Sequence, residues 1–478
     1  MKKYLVIIIL FLCPNLIIAQ CNNWSPFQLV KDTFPNPIFG NYLTPECDKL
    51  SRPYVYVAAK DGGIKVYDIS LPGNMILATT ISTSLFGNVD AINIIQDSVY
   101  LYVTLGDIWN TNEEAGLAIV DVSNPLSPVV LDYYLQPFAT GGAAAVAIKN
   151  NYAYVAAMGN GLIILDIGNK TNITFKSMLS LANNFPHTNT LGDTISKYNA
   201  RGIALKDSLA YICYDRGGLR IVNVSDVNNP VQTNQYCFDS LINKATAYNN
   251  IVIHNNLAFV TIDYYGLEIL DITNPQNINQ LSWWHPSGWA AATNDYLVWA
   301  ASDGHANEII FDSLCYRVYI SAGRSDVVSI SVVDSLNPAT CETYGSVTDT
   351  YGTWGLDYYD NNVYAAYIWS PFFPPYSNYT GLRQIQTTVC NSSATNEIQQ
   401  QNSLSIFPNP NNGEFYISPN KIFENGNLTV INPQGKKVFE TKIIGNLFEN
   451  VSVSLSPGIY FVMIRNCENV YTEKVIVY

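Results

Sequence analysis

Asn151-Tyr152-Ala153-Tyr154-Val155, followed by Gly161-Leu162-Ile163-Ile164-Leu165-Asp166-Ile167, is the stretch that decides the fold. It returns as Asn256-Leu257-Ala258-Phe259-Val260 with Gly266-Leu267-Glu268-Ile269-Leu270-Asp271-Ile272. Apolar residues at period two read as strands. Asn150-Asn151 and Asn255-Asn256 stand just before the first of these strands. Asn tolerates the positive φ that two-residue hairpin turns require. Asp97-Ser98, Asp207-Ser208 and Asn361-Asn362 fill the same place elsewhere.

Outward from this phrase the chain is a repeat. The central aromatics Tyr56, Tyr102, Tyr154, Tyr211, Phe259, Tyr319 and Tyr364 mark seven copies. Each copy has a short apolar first strand, a tight turn, the Tyr-Val strand and a Gly-bearing loop. The Leu-x-Ile-x-Asp strand follows. An Asn-Pro exit comes next in several copies, as at Asn124-Pro125, Asn229-Pro230, Asn274-Pro275 and Asn337-Pro338. A polar fourth strand, such as Val231 to Phe238, ends the copy. Proline has no N–H to donate, so it marks a strand exit. Four-stranded units of this length predict an all-β chain, a seven-bladed β-propeller, over 20–390. An open solenoid or two sandwiches are the alternatives.

The first copy lacks an obvious first strand and the last lacks a clear fourth. Closure of the ring by an N-terminal segment, Pro26 to Val30, is expected, because it removes an exposed edge. The sixth copy is ambiguous. Asp295-Tyr296-Leu297-Val298-Trp299-Ala300-Ala301 matches the repeat better than Arg317 to Ala322 does. On that reading the sixth blade begins near Trp289 and holds an inserted hairpin around Glu308 to Ile320.

Gly116-Leu117-Ala118-Ile119-Val120-Asp121-Val122-Ser123-Asn124-Pro125 resembles the LVIVD-repeat β-propellers. The resemblance covers roughly residues 50 to 390 and implies a fold. Propellers host unrelated activities, so it implies no function.

Residues 391–403 read as a polar linker. Beyond it stand Ser405-Ile406-Phe407-Pro408-Asn409-Pro410-Asn411-Asn412-Gly413, then Asn432-Pro433-Gln434-Gly435, then Ser456-Pro457-Gly458-Ile459-Tyr460, with Lys474 in the closing strand. The patterning predicts a small C-terminal β-sandwich over 404–478. The three spaced motifs are similar to the type A C-terminal sorting domain of the type IX secretion system. That resemblance implies the secretion machinery as a partner, passage across the outer membrane, and then tail removal or surface attachment. It casts Pro408, Asn409, Pro410, Gly413, Gly435, Gly458, Tyr460 and Lys474 as the sorting signal. An accessory β-domain is the alternative.

Lys2 and Lys3, the apolar run Leu5 to Leu12 and Ala19 read as a signal peptide over 1–19. The run is too short for a transmembrane anchor. Cys21 raises a lipoprotein alternative, which Gln20 disfavours. The charge of −13 excludes nucleic acid bound through phosphate neutralisation. Outside the signal, eight cysteines remain. In an exported protein they predict disulfides. Cys21 with Cys47, Cys213 with Cys237 and Cys315 with Cys341 are near enough in sequence to be local staples. Asp-Ser/Thr-aliphatic triplets, among them Asp312-Ser313-Leu314 and Asp334-Ser335-Leu336, are similar to an O-glycosylation sequon of bacteria with this secretion system; turn chemistry also explains them.

GxSxG, HExxH and P-loop signatures are absent. Loops between second and third strands share one propeller face with the between-blade stretches. That face is expected to gather His187, His285 and His305, Trp109 and Trp289, and Asp215 and Asp263. These residues suit a divalent cation or stacked sugar rings. Turn-forming aspartates and gap-filling tryptophans are the plainer account. The leading expectation is a secreted or surface binding and adhesion module with a glycan or surface protein as partner. An extracellular polysaccharide lyase or hydrolase and a structural surface-layer component are the alternatives.

Overall fold

The computed structural model describes residues 26–33, 41–71, 73–107, 112–186, 198–242, 246–263, 265–285, 306–322, 327–345, 351–370, 377–388, 404–419, 426–432, 436–443, 449–465 and 470–478. The signal-peptide residues 1–19, Cys21, Cys390, Cys467 and the segment near Trp289 lie outside them. The chain divides into two compact units, Met1–Val389 and Cys390–Tyr478.

In the first unit the described residues form seven four-stranded antiparallel sheets. The third sheet shows the plan: Ala145–Lys149, Tyr152–Ala156, Leu162–Asp166 and Thr174–Leu179, paired in that order. The first strand of every sheet is innermost, and each touches the next around a closed cycle. Seven apolar clusters hold the ring, each shared by two neighbouring sheets. Because both faces of a sheet are covered, Leu162, Ile163, Ile164 and Leu165 are all buried. This is why the repeated third strand is apolar on both sides.

The repeat's fixed letters have local causes. Gly161 sits at φ +82°, and a Cβ there would lie 2.4 Å from the Leu179 carbonyl oxygen. Only glycine allows the loop to enter its strand so close to the fourth. Asp68, Asp121, Asp166 and Asp271 each accept the backbone N–H two residues on, from Ser70, Ser123, Gly168 and Thr273. They are turn caps that steer the strand exit. Asp312 and Asp334 do the same for Leu314 and Leu336, so turn geometry accounts for these two triplets.

The ring closes through Gln28–Asp32, which pairs antiparallel with Gly381–Gln386 as the outer strand of the seventh sheet. Arg383 Nε lies 3.2 Å from Asp32 Oδ2. Its guanidinium also packs over Tyr351, Tyr367 and Tyr379. The first sheet's inner strand, hidden in the sequence, is Thr44–Cys47. Lys60, Met158 and Asp215, all at positive φ, make backbone bridges to Ala91, Ala200 and Tyr248 of the following sheet.

Two expectations need correction. The hairpin around Glu308 to Ile320 is not an insertion: Ile309–Asp312 and Arg317–Ser321 are the first and second strands of the sixth sheet. Cys47, Cys213 and Cys237 are free, buried thiols. The Cys213–Cys237 staple fails on geometry. Cys213 pairs with Leu219, and Leu219 pairs with Tyr236, so a whole strand lies between the two thiols. Two ladder spacings are about 10 Å, beyond the reach of a disulfide. Cys315 and Cys341 are not free thiols; both are disulfide-bonded.

The second unit has a three-stranded sheet (Leu404–Phe407, Glu414–Pro419, Glu449–Ser452) and a four-stranded one (Gly426–Ile431, Lys437–Ile443, Gly458–Arg465, Val470–Val477). Ile406, Phe415 and Ile417 of the first meet Leu428, Val462 and Val475 of the second in one core.

Candidate functional site

Residues opening the inner strands decide what the channel through the ring presents. Backbone pairing aligns one such residue per sheet: Leu43, Ile92, Ala144, Arg201, Asn249, Asn307 and Trp354. In the second, fifth and seventh sheets this residue is the extra one of a β-bulge, at Ile92, Asn249 and Trp354. A bulge re-aims a side chain that regular pairing would send elsewhere. All of these but Leu43 line a chamber of about 50 Å³ at the channel mouth. A deeper chamber of about 430 Å³ continues along the inner strands. Thr44, Asn93, Asn250 and Glu308 line both.

Side chains at the mouth reach from sheet to sheet. Thr44 Oγ1 donates to the Ile92 carbonyl at 3.3 Å. Ser321 Oγ donates to the Trp354 carbonyl at 2.9 Å. Asn249 Nδ2 donates to the Ala306 carbonyl at 2.8 Å and to Asn307 Oδ1 at 3.2 Å. Two amide atoms stay without a protein partner, Asn249 Oδ1 and Asn307 Nδ2.

The deeper chamber holds carboxyl groups. Glu308 Oε1 accepts from Asn250 Nδ2 and from the Ile309 N–H. Burial pushes Glu308 up to about 8. Glu46 is also pushed up to about 8, first by burial and then by Asp357. Asp357 is held by Lys49 Nζ at 2.9 Å and the Cys47 N–H at 2.7 Å.

Of the predicted site residues, His285, Asp215 and Asp263 fall within the described residues. His187, His305, Trp109 and Trp289 lie outside the described residues. His285 is exposed at the end of the fifth sheet, with its ring 4.4 Å from Trp283, which stacks on Tyr265 at 4.1 Å. Asp215 takes Asn199 Nδ2 at 3.0 Å and pairs with Arg201 Nε at 3.4 Å. Asp263 Oδ1 accepts the Ala306 N–H at 3.1 Å. Both aspartates thus hold neighbouring groups of the mouth in place. Asp107 similarly joins Asp90 on Lys60 Nζ, at 3.1 and 3.0 Å. Among the described residues no group of three or more His, Cys, Asp or Glu has a geometry that could hold a metal ion.

Asn249, Asn307, Trp354 and Glu308 were missed. The first three occupy the step into the first strand, where other copies put Leu43, Ile92 and Ala144, and Glu308 takes the position after it.

In the second unit the sorting-motif residues pin the last strand. Asn409 Nδ2 donates to the Lys474 carbonyl at 2.7 Å, and Asn409 Oδ1 accepts the Ile476 N–H at 2.9 Å. The buried Asn411 Nδ2 donates to the Pro408 carbonyl at 3.1 Å. Asn411 Oδ1 accepts the Gly413 N–H at 2.8 Å. Gly413 is at φ +97°, where a Cβ would lie 2.3 Å from the Val453 carbonyl oxygen. Tyr460 Oη donates to the Ser456 carbonyl at 2.9 Å, across Gly458. Pro410 is exposed beside Asn411, and Gly435 lies outside the described residues.

These geometries agree with what the chain is similar to. Residues 49–83, 99–135, 140–179 and 199–237 match the LVIVD repeat. Residues 405–478 match the secretion system C-terminal sorting domain. The chain thus carries LVIVD repeats in a propeller and a type IX sorting tail. The tail implies interaction with the secretion machinery and export to the cell surface or beyond. No described helix is long and apolar enough to cross a membrane. No curated protein matches the chain. A solved chain of the Mitotic Checkpoint Complex is similar in fold at 9% identity and TM-score 0.50, covering 76% of this chain and 92% of that one. The β-propeller domain of Myceliophteria thermophila Cps50 matches at 8% identity and TM-score 0.47, covering 74% and 99%. The WD40 β-propeller domain of Doa1 matches at 9% and 0.47, covering 76% and 97%.

Proposed function

We propose that this exported propeller is a binding module, secreted or held at the cell surface, that takes its ligand at the channel mouth. The observation that carries the reading is the pair of buried amide atoms at that mouth, Asn249 Oδ1 and Asn307 Nδ2, left without protein partners. Buried polar groups are nearly always bonded, so such atoms mark a place for water or a ligand. The mouth is built on inner strands of a closed ring, and rigid scaffolds suit recognition. A glycan array and a surface-protein pull-down with the secreted full-length protein test it. Capture of a glycan or protein, weakened by Asn249→Ala, is the expected result. Empty screens alongside steady hydrolytic turnover of a polysaccharide would replace the binding reading with an enzymatic one.

A further inference from the structure

The channel mouth is divided by kind. In ring order, Arg201, Asn249 and Asn307 come from the fourth, fifth and sixth sheets, so they form one unbroken polar arc. Trp354, Leu43 and Ile92 come from the seventh, first and second sheets and pack together as an apolar cluster with Ile368. A ligand seated here meets hydrogen-bonding groups on one side and the Trp354 indole with the Ile92 side chain, backed by Leu43, on the other.

The two amides are not free to choose their orientation. The Ala306 carbonyl only accepts, so Asn249 must turn its nitrogen there and its oxygen away. That same nitrogen donates to Asn307 Oδ1, which turns the Asn307 nitrogen outward in its turn. One acceptor and one donor remain, on residues 6% and 9% exposed. A buried group left unpaired is costly to the fold. The adjoining chamber of about 50 Å³, lined by both residues, is large enough for water. A ligand gains by displacing such water only if it reproduces both bonds.

A secondary amide offers the matching pair of groups, an N–H for Asn249 Oδ1 and a C=O for Asn307 Nδ2. The methyl of an acetamido group then turns toward the apolar arc. Thr44, Asn93 and Asn250 in the passage below suit hydroxyl groups. Burial keeps Glu308 protonated at neutral pH, so the lining offers no strong attraction to amines. We propose that the channel mouth is a subsite for the N-acetyl group of a neutral glycan, bonded by Asn249 and Asn307 and packed on Trp354. The proposal rests on the binding-module reading and names its ligand class.

Calorimetry with the full-length protein tests it, using β-1,4-linked tetramers of N-acetylglucosamine, glucosamine and glucose, and an N-acetylated neutral peptide. The N-acetylglucosamine tetramer is expected to bind at least about tenfold more tightly than the other three, the worth of one well-made hydrogen bond. Asn307→Leu keeps size but removes the donor, while Asn249 Nδ2 retains its bond to the Ala306 carbonyl. It should lose about tenfold in affinity for that tetramer with little change in melting temperature. Trp354→Ala, which leaves the amide pair intact, should also weaken binding. Equal binding of the three tetramers, preference for the peptide, or unchanged affinity in Asn307→Leu overturns the subsite. If a protein bait is captured and no sugar binds, the subsite falls and the binding module stands. If nothing binds in any screen, both fall.

Discussion

Glu308 is a carboxyl group whose chemistry is set by where a strand begins. It starts the inner strand of the sixth sheet, and burial raises it from its ordinary value to about 8. The sign of its effect on stability follows. The folded state holds the proton between about 4.5 and about 8, while the unfolded state releases it. Stability from this group is full below the unfolded value and is lost as pH rises through the folded one. Glu308→Gln should therefore flatten the fall in stability between pH 5 and pH 8, by on the order of a few kcal/mol across the window. Urea unfolding at both pH values measures it; parallel slopes for variant and parent would refute it. The free thiols give a second test at this scale. Cys213 is 0% exposed and Cys237 8% exposed. Both should resist alkylation in the native protein and label fully in denaturant, with peptide mapping as readout. Burial also raises both thiols, which further lowers reactivity.

Among the strands, the ring depends most on one that arrives from far away. Gln28–Asp32 completes the seventh sheet, and Arg383 ties it there through Asp32 and three tyrosine rings. Arg383→Ala leaves the Asp32 carboxylate without that partner. It should cost about 3–5 kcal/mol, the range for breaking a buried ion pair. A shift of the denaturant midpoint reports it, and a loss below about 1 kcal/mol would mean the tie is a surface pair. This scale also shows what sequence can reveal. Hairpin turns and the Gly-Leu-x-Ile-x-Asp strand were legible because their causes are local: a φ sign, a cap, a covered face. Thr44–Cys47 was hidden because Thr-Pro-Glu-Cys has no strand pattern, and its pairing with Val55–Ala58 comes from the ring. The Asn249–Asn307 pair was hidden because it joins neighbouring sheets, and nothing in either local sequence announces the other. The sixth sheet was misread as carrying an inserted hairpin because Glu308 and Arg317 break the apolar pattern of strands they belong to.

The whole molecule holds two compact units with separate cores. Unfolding should show two transitions by calorimetry, since units that share no core melt independently. A single transition with matching calorimetric and van't Hoff enthalpies would contradict this. In the tail, Asn411→Ala removes the two side-chain bonds that shape the Pro-Asn-Pro turn and should lower that unit's transition by about 1–3 kcal/mol while sparing the propeller's. The same variant should accumulate inside cells rather than outside. Unchanged export would mean the turn serves folding alone.

The closing strand has a consequence for timing. A polypeptide is made from its N-terminus, so Gln28–Asp32 exists long before its partner Gly381–Gln386 does. Until then it is an unmatched edge, and the sheets between are an arc with two open ends. Ring completion is therefore among the last events of propeller assembly. A chain cut short before residue 386 would have no seat for its own beginning. Closure in this protein thus doubles as a check that the whole propeller has been made.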